Sequence, residues 1–483
     1  MKLFQHEKES ERLLAWTEDG RRYTLGDLDR WAGQLGQAVG GHRLVFLLCR
    51  NTPGCLLCYL SCLKTGAVPL LLDAGLDPDL LDSLTALYHP AFLCAPDGLD
   101  QALGDRLAGL EPVLRMEDAT LYHREDREEP ELHPDLALLL TTSGSTGSPK
   151  LVRLTGRNLD ANALSIAQYL QLDEHERPVT MLPMNYSYGM SVINSHLLVG
   201  APIFVTDRTI LERAFWDSVA AEGITSLVGV PYTYRMYKRV GLMDMDLPAL
   251  TSLTQAGGKL PEALHREFAA WAEATGRRFC VMYGQTEAAP RMGWLPPEQA
   301  AAKCGSMGLP IPGGEFTLLD ADDRPIDGPG QVGELVYRGE NVAMGYAQCP
   351  ADLLLGDQWQ GVLHTGDMAR RDADGFYYIA GRKKRFIKLY GSRVNLDEVE
   401  QLLLTRFPQA EFACVGEDDL LRVFYAGPAG LEAEVQEGLC AQLHFPARAF
   451  VVKRLESIPK TQSGKIHYAA LNDTPRTGAD GPA

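Results

Sequence analysis

The chain has 483 residues, 45% apolar and 23% charged, with a formal net charge of −17. That length exceeds what one core fills, so two or more domains are expected, and the acidic balance argues against a general binder of nucleic acid or of an anionic membrane. No apolar run approaches the ~20 residues of a membrane span, and the opening MKLFQHEKESERLLAW lacks the apolar centre of a signal peptide. A cytoplasmic protein without a membrane span is therefore expected.

Over the first 330 residues, apolar runs of strand length alternate with helical patterns. Strands are expected at 44–48, 68–72, 91–94, 179–182, 202–205, 226–230 and 279–282, and helices at 25–39, 53–65, 78–88, 157–170, 209–222 and 261–275. Asn158 and Asn162 near the start of one helix, and Pro261 at the start of another, fit helix entry. Such alternation implies parallel sheets with helices on both faces. Within the helix at 53–65, Cys55, Cys58 and Cys62 share one face; a structural zinc site wants four ligands and no nearby His or Cys completes the set, so buried core thiols are expected. From about 311 the pattern changes to short strands (314–319, 333–338, 376–380) between Asp/Gly/Pro turns, a β-rich subdomain reaching about 382. Residues 381–393 then carry six cations and no acid. After them come a helix at 396–407, strands at 411–415 and 421–425 and a helix at 431–443. The expected class is α/β: a large N-terminal domain, 1–382, and a small mobile α+β domain, 383–473, followed by a flexible tail, 474–483.

The most informative stretch is Thr141-Thr142-Ser143-Gly144-Ser145-Thr146-Gly147-Ser148-Pro149-Lys150, directly after the apolar run 136–140. A buried strand delivers the chain into small hydroxyl and glycine residues. Glycines let backbone N–H groups approach an anion closely, the hydroxyls add donors, and Lys150 adds a point charge for a phosphate oxygen. It is neither a Walker A loop nor a G-x-G-x-x-G turn, and a plain Ser/Gly linker seldom follows a strand and ends in Pro-Lys.

Tyr283-Gly284-Gln285-Thr286-Glu287 follows the strand at 279–282, where α/β proteins bind ligands. Tyr283 offers a flat face, Thr286 a hydroxyl, and Glu287 a hard oxygen ligand suited to Mg²⁺; a solvated loop with one carboxylate is the competing reading. Gly257 and Gly258 could lie along a flat ring, or form a plain turn. Asp367, after Thr365-Gly366, suits two ribose hydroxyls, with Arg382 within reach of the same sugar, although turn chemistry also favours Gly-Asp. Lys465 ends a second Ser/Gly loop, Pro459 to Lys465, as a cation for a developing oxyanion or as a plain tail lysine.

Taken in order, residues 141–150, 283–287, 365–367, 381–393 and 459–465 resemble the AMP-forming adenylate synthetases: acyl-CoA ligases, peptide-synthetase adenylation domains and luciferases. Leu63-Lys64-Thr65-Gly66-Ala67, Gly333-Glu334-Leu335 and Gly345-Tyr346 extend the resemblance over nearly the whole chain. It implies two half-reactions: a carboxylate and ATP give acyl-AMP and pyrophosphate, then a thiol takes the acyl group and releases AMP. It further implies that Thr142 to Lys150 hold the β- and γ-phosphates, Tyr283 stacks on adenine, Thr286 contacts the α-phosphate, Glu287 binds Mg²⁺, and Asp367 and Arg382 hold the ribose. Lys465 would bridge carboxylate and α-phosphate, Lys384 would be the hinge, and Lys388 would enter the site for the second step.

The acyl pocket is expected at Tyr186, Ser187, Gly189, Val230, Tyr232 and Gly258, with Tyr188, Pro231 and Met292 nearby. Adenylation domains for α-amino acids commonly place an Asp where Ser187 stands, and a buried ammonium without a carboxylate is costly. A small carboxylic acid other than an α-amino acid is expected. No carrier domain follows Lys465 in this sequence, so the phosphopantetheine thiol is expected from outside, as CoA first or else as a discrete acyl or peptidyl carrier protein; a non-catalytic nucleotide-binding relative is the remaining alternative.

Overall fold

The computed structural model describes residues 1–99, 103–107, 109–124, 128–141, 150–390, 392–417, 419–460 and 466–472. Thr142, Ser143, Gly144, Ser145, Thr146, Gly147, Lys465 and the tail at 474–483 lie outside the described residues. Contacts divide the chain into two compact units, the larger comprising Met1–Thr142, Pro149–Phe316 and Val336–Leu363, the smaller chiefly Thr317–Leu335 and His364–Ala483.

The larger unit holds an eight-stranded sheet in the order Gly345–Ala347, Leu151–Thr155, Leu136–Thr141, Val68–Asp73, Leu44–Cys49, Phe92–Pro96, Ala119–His123, Glu111–Met116. Its centre is parallel, Leu44 opposite Val68 and Leu70 opposite Leu139, and both margins are antiparallel. The parallel strands are apolar throughout because both faces are covered. Helix Pro53–Thr65 packs on it with Cys55, Cys58 and Cys62 all fully buried, as core thiols should be. A second sheet runs Ser226–Gly229, Ser252–Gln255, Arg278–Gly284, Arg291–Trp294, Leu309–Pro310, its first three strands parallel.

Two local expectations need correction. The 179–182 run forms no strand, only isolated bridges at Pro178 and Val179; the carbonyls of Thr180 and Leu182 accept instead from the Asn51 side-chain amide at 3.3 and 3.1 Å. The helix Ser187–Val199 was not expected from periodicity, because it is buried on nearly every side and so has no polar stripe.

In the smaller unit, a three-stranded sheet (Glu411–Glu417, Leu420–Ala426, Phe450–Arg454) is covered by helices Leu396–Arg406 and Glu432–Leu443. Its polar heart is Arg385, which donates to Asp397 at 2.7 Å and to Glu400 at 2.6 Å and lies 3.8 Å from the Tyr468 ring centroid; Tyr468 donates to Glu400 at 3.0 Å.

One buried histidine of the larger unit gives the fold a pH dependence. His265 donates from Nε2 to the Ala300 carbonyl at 2.9 Å and accepts at Nδ1 from the Gly305 N–H at 3.3 Å, so the neutral ring is fully used. Burial holds its pKa below the ordinary histidine value. The unfolded chain takes up a proton near pH of about 6.5 while the folded chain does not, so this stability is complete above that pH and is lost as pH falls below it. His265→Gln is expected to flatten the fall of the urea midpoint between pH of about 7 and 5; an unchanged slope would remove His265 as its source. His196, also buried and lowered, keeps its own share.

Candidate active site

The turn that carries Thr286 and Glu287 leaves strand Arg278–Gly284 and returns along Arg291–Trp294. Gly284 is required there, because a Cβ would collide with the Pro290 carbonyl. Two buried amides clamp the turn from outside. Asn341 Nδ2 donates to the carbonyls of Ala288 and Arg291 at 2.6 and 2.8 Å, and Asn162 Nδ2 donates to the same two at 3.4 and 3.0 Å. Tyr337 in turn donates to Asn341 Oδ1 at 2.8 Å.

Glu287 is fixed at both ends. Its carbonyl accepts from the Ala343 N–H at 2.9 Å, and its Oε1 accepts from the Tyr346 hydroxyl at 2.6 Å. Burial, and next the Glu287 charge, push the Tyr346 pKa upward, so the phenol stays a donor. Tyr346 sits in the edge strand Gly345–Ala347, opposite Val152, which brings its ring 5.3 Å from Lys150 Nζ. The fully buried Arg153 pins this segment, donating to the carbonyls of Met344, Tyr346, Leu355 and Gly356. Lys150 and Glu287, more than a hundred residues apart, thus both reach one tyrosine.

Of the expected pocket residues, Tyr186, Ser187 and Gly189 lie at the start of helix Ser187–Val199, with Val230 and Gly257 beside Tyr186. Ser187 Oγ lies 3.0 Å from Thr286 Oγ1, and Gly189 packs against the Pro183 carbonyl without room for a Cβ. Gly257 has a left-handed backbone, φ 80°, and a Cβ there would collide with the Tyr186 hydroxyl and meet Val230 at 3.0 Å. The Gln255 side chain holds the glycine turn, donating to the Ala256 and Gly258 carbonyls at 3.1 and 2.9 Å. Burial pushes the Tyr186 phenol up to about 12, so it is a neutral wall rather than a base. Tyr283 stands edge-on to Phe316 at 6.3 Å. Tyr232 and Gly258 are exposed.

In the smaller unit, Asp367 is buried and lies opposite Arg382 in the antiparallel pair of Val362–Arg371 with Tyr377–Arg382. Its Oδ1 is 3.4 Å from the exposed Arg382 Nε, and its N–H donates to Thr365 Oγ1 at 3.1 Å. Lys384 and Lys388 are described by backbone alone, in the turn Lys383–Arg385 and the strand Phe386–Leu389, where Lys388 pairs with Arg393.

Sequence reasoning missed the role of Tyr346, quoted only as part of a motif, and missed Arg291 altogether. The signal for Arg291 was legible: a single cation inside the apolar run Ala288 to Leu295.

The model of the family described as AMP-binding enzyme matches residues 4–347. This chain belongs to the AMP-forming adenylate synthetases. The synthetase is 31% identical over 435 residues to a long-chain-fatty-acid–CoA ligase of Escherichia coli O157:H7, covering 83% of this chain and 75% of that one. It is 28% identical to an indoleacetate–CoA ligase of Aromatoleum aromaticum, covering 91% and 90%. Among solved structures it resembles the o-succinylbenzoate CoA synthetase of Bacillus subtilis in complex with its acyl-adenylate intermediate, with a TM-score of 0.79, 21% identity and 98% of both chains covered. That last likeness is one of fold.

The amide clamp is testable. Asn341→Ala leaves the Ala288 and Arg291 carbonyls with one donor fewer and Tyr337 without its acceptor, at an expected cost of about 1–3 kcal/mol in urea denaturation. An unchanged midpoint would show that the clamp contributes nothing to stability.

Proposed function

We propose that this synthetase is an AMP-forming acid–thiol ligase. A carboxylate oxygen attacks the α-phosphorus of ATP and the bond to the β-phosphate breaks, giving acyl-AMP and pyrophosphate. A thiolate then attacks the acyl carbon, the bond to AMP breaks, and a thioester leaves. The observation that carries this reading is the meeting of Lys150 and Glu287 at Tyr346, beside the Thr286 hydroxyl. One cation, one carboxylate and one hydroxyl held close together support the binding of a polyphosphate and its metal.

Mg²⁺ suits this donor set. Among the described residues no group of three or more His, Cys, Asp or Glu forms an all-protein cage, and Mg²⁺ ordinarily takes one or two carboxylates plus phosphate oxygens and water. Glu287 would hold it, with Tyr346 occupying one carboxylate oxygen and orienting the other. When bound, the metal neutralises phosphate charge. Lys150 would screen the leaving phosphates, with Thr142, Ser143, Gly144, Ser145, Thr146 and Gly147 around them. Tyr283 would face the adenine, Gly257 and Gly258 would border it, and Asp367 would accept ribose hydroxyls with Arg382 beside it. Lys465 would steady the carboxylate against the α-phosphate, and Lys388 would serve thioester formation, with residues 383–473 turning about Lys384 between the two steps.

The names of the relatives, long-chain-fatty-acid–CoA ligase and indoleacetate–CoA ligase, favour CoA as the thiol; a discrete acyl carrier protein is the second reading. Among the described residues no helix is long and apolar enough to cross a membrane, and we place the reaction in the cytoplasm.

Acid-dependent exchange of labelled pyrophosphate into ATP tests the first step, and AMP release on adding CoA the second. Exchange without CoA-dependent AMP release would favour the carrier protein. Lys465→Ala is expected to abolish acyl-AMP formation while transfer from preformed acyl-AMP survives, and Lys388→Ala to do the reverse; equal loss of both steps in either variant would contradict the division of roles. Tyr346→Phe frees the Glu287 carboxylate and is expected to lower kcat/KM about tenfold while raising the Mg²⁺ concentration for half-maximal rate. An unchanged metal dependence would detach Tyr346 from the metal.

A further inference from the structure

Arg291 is 2% exposed, yet among the described residues the partners of its guanidinium are Ser191, Met282 and the Tyr188 ring, none of them a carboxylate. Its Nη2 donates to Ser191 Oγ at 3.2 Å, its Nη1 points to Met282 Sδ at 3.5 Å, and its guanidinium carbon lies 3.7 Å from the Tyr188 ring centroid. Its Nε is buried without any partner. A guanidinium removed from water without an anion is expensive, and proteins ordinarily supply a carboxylate. The backbone that delivers it is also fixed, because its carbonyl takes both clamping amides.

Its neighbours place this charge next to the residues expected to form the acyl pocket. Tyr188, under the guanidinium, lies on the first turn of helix Ser187–Val199, and its ring is 6.3 Å from that of Tyr186, which touches the Gly257 turn. Ser187, on the same turn, meets Thr286. Tyr186, Tyr188 and Arg291 thus follow one another in space, leading inward from the Gly257 turn.

We propose that Arg291 is a specificity-determining residue that pairs with a second, distal carboxylate of the substrate, so that the synthetase acts on dicarboxylic acids. This rests on the adenylation reading above. The reacting carboxylate stays at Thr286, and the distal one supplies the anion that the guanidinium lacks, through charge-assisted hydrogen bonds. The same buried cation repels an ammonium, in keeping with Ser187 standing where an α-amino-acid site would carry an acid.

The test compares pyrophosphate exchange for chain-matched pairs, such as hexanoate with adipate and phenylacetate with carboxyphenylacetate, in the wild type, Arg291→Met and Arg291→Lys. The diacid is expected to be preferred by the wild type, the diacid-to-monoacid ratio of kcat/KM to fall about a hundredfold in Arg291→Met, and Arg291→Lys to recover part of it. Wild-type preference for the monoacids, or a ratio unchanged by Arg291→Met, overturns the proposal. Diacid-induced thermal stabilisation is measured in parallel without ATP. If no acid supports exchange but diacids stabilise the wild type and not Arg291→Met, the adenylation reading falls and the carboxylate site stands. If neither exchange nor Arg291-dependent stabilisation is seen, the carboxylate site falls as well.

Discussion

The turn from Gln285 to Arg291 hangs on Asn162 and Asn341, whose side-chain amides each donate to the carbonyls of Ala288 and Arg291. A tight turn at a strand end exposes carbonyls that no ladder can satisfy, and here they are buried, so donors must come from elsewhere. Supplying them from two distant points of the chain converts a loop into a rigid part of the larger unit. Thr286, Glu287 and Arg291 take their places from this arrangement. Tyr346 is then brought to Glu287 and to Lys150 by one short edge strand, itself pinned by Arg153. A network of this kind is strong when complete and fragile when any member is lost.

The smaller unit is organised around charge rather than amides. Arg385 is gripped by Asp397 and Glu400 and stacks on Tyr468, and breaking such a pair from one side typically costs about 3–5 kcal/mol. Asp367 opposite Arg382 follows the simpler logic of cross-strand pairing.

Much of this was legible in the residues. Apolar runs at 44–48, 68–72 and 226–230 named the parallel strands, since strands covered on both faces are uninterrupted. The order of the short motifs named the family. What stayed hidden had physical causes. Helix Ser187–Val199 is buried all round and lacks a period to detect. The 179–182 run spends its carbonyls on the Asn51 amide, a contact across more than a hundred residues. The tie between Tyr346 and Glu287 depends on which strand closes the sheet edge, which no local pattern encodes. Arg291 was visible as a misplaced charge, but only its burial without an acid gives that charge a meaning.

The grip of Arg385 on Tyr468 has a mechanical corollary. Arg385 sits between Lys384 and Lys388 in sequence, and Tyr468 lies three residues beyond Lys465. The turn Lys383–Arg385 and the helix Tyr468–Asn472 are thus joined through a single buried charge cluster. A substitution at Glu400, which accepts from both Arg385 and Tyr468, is therefore felt at both of these segments at once.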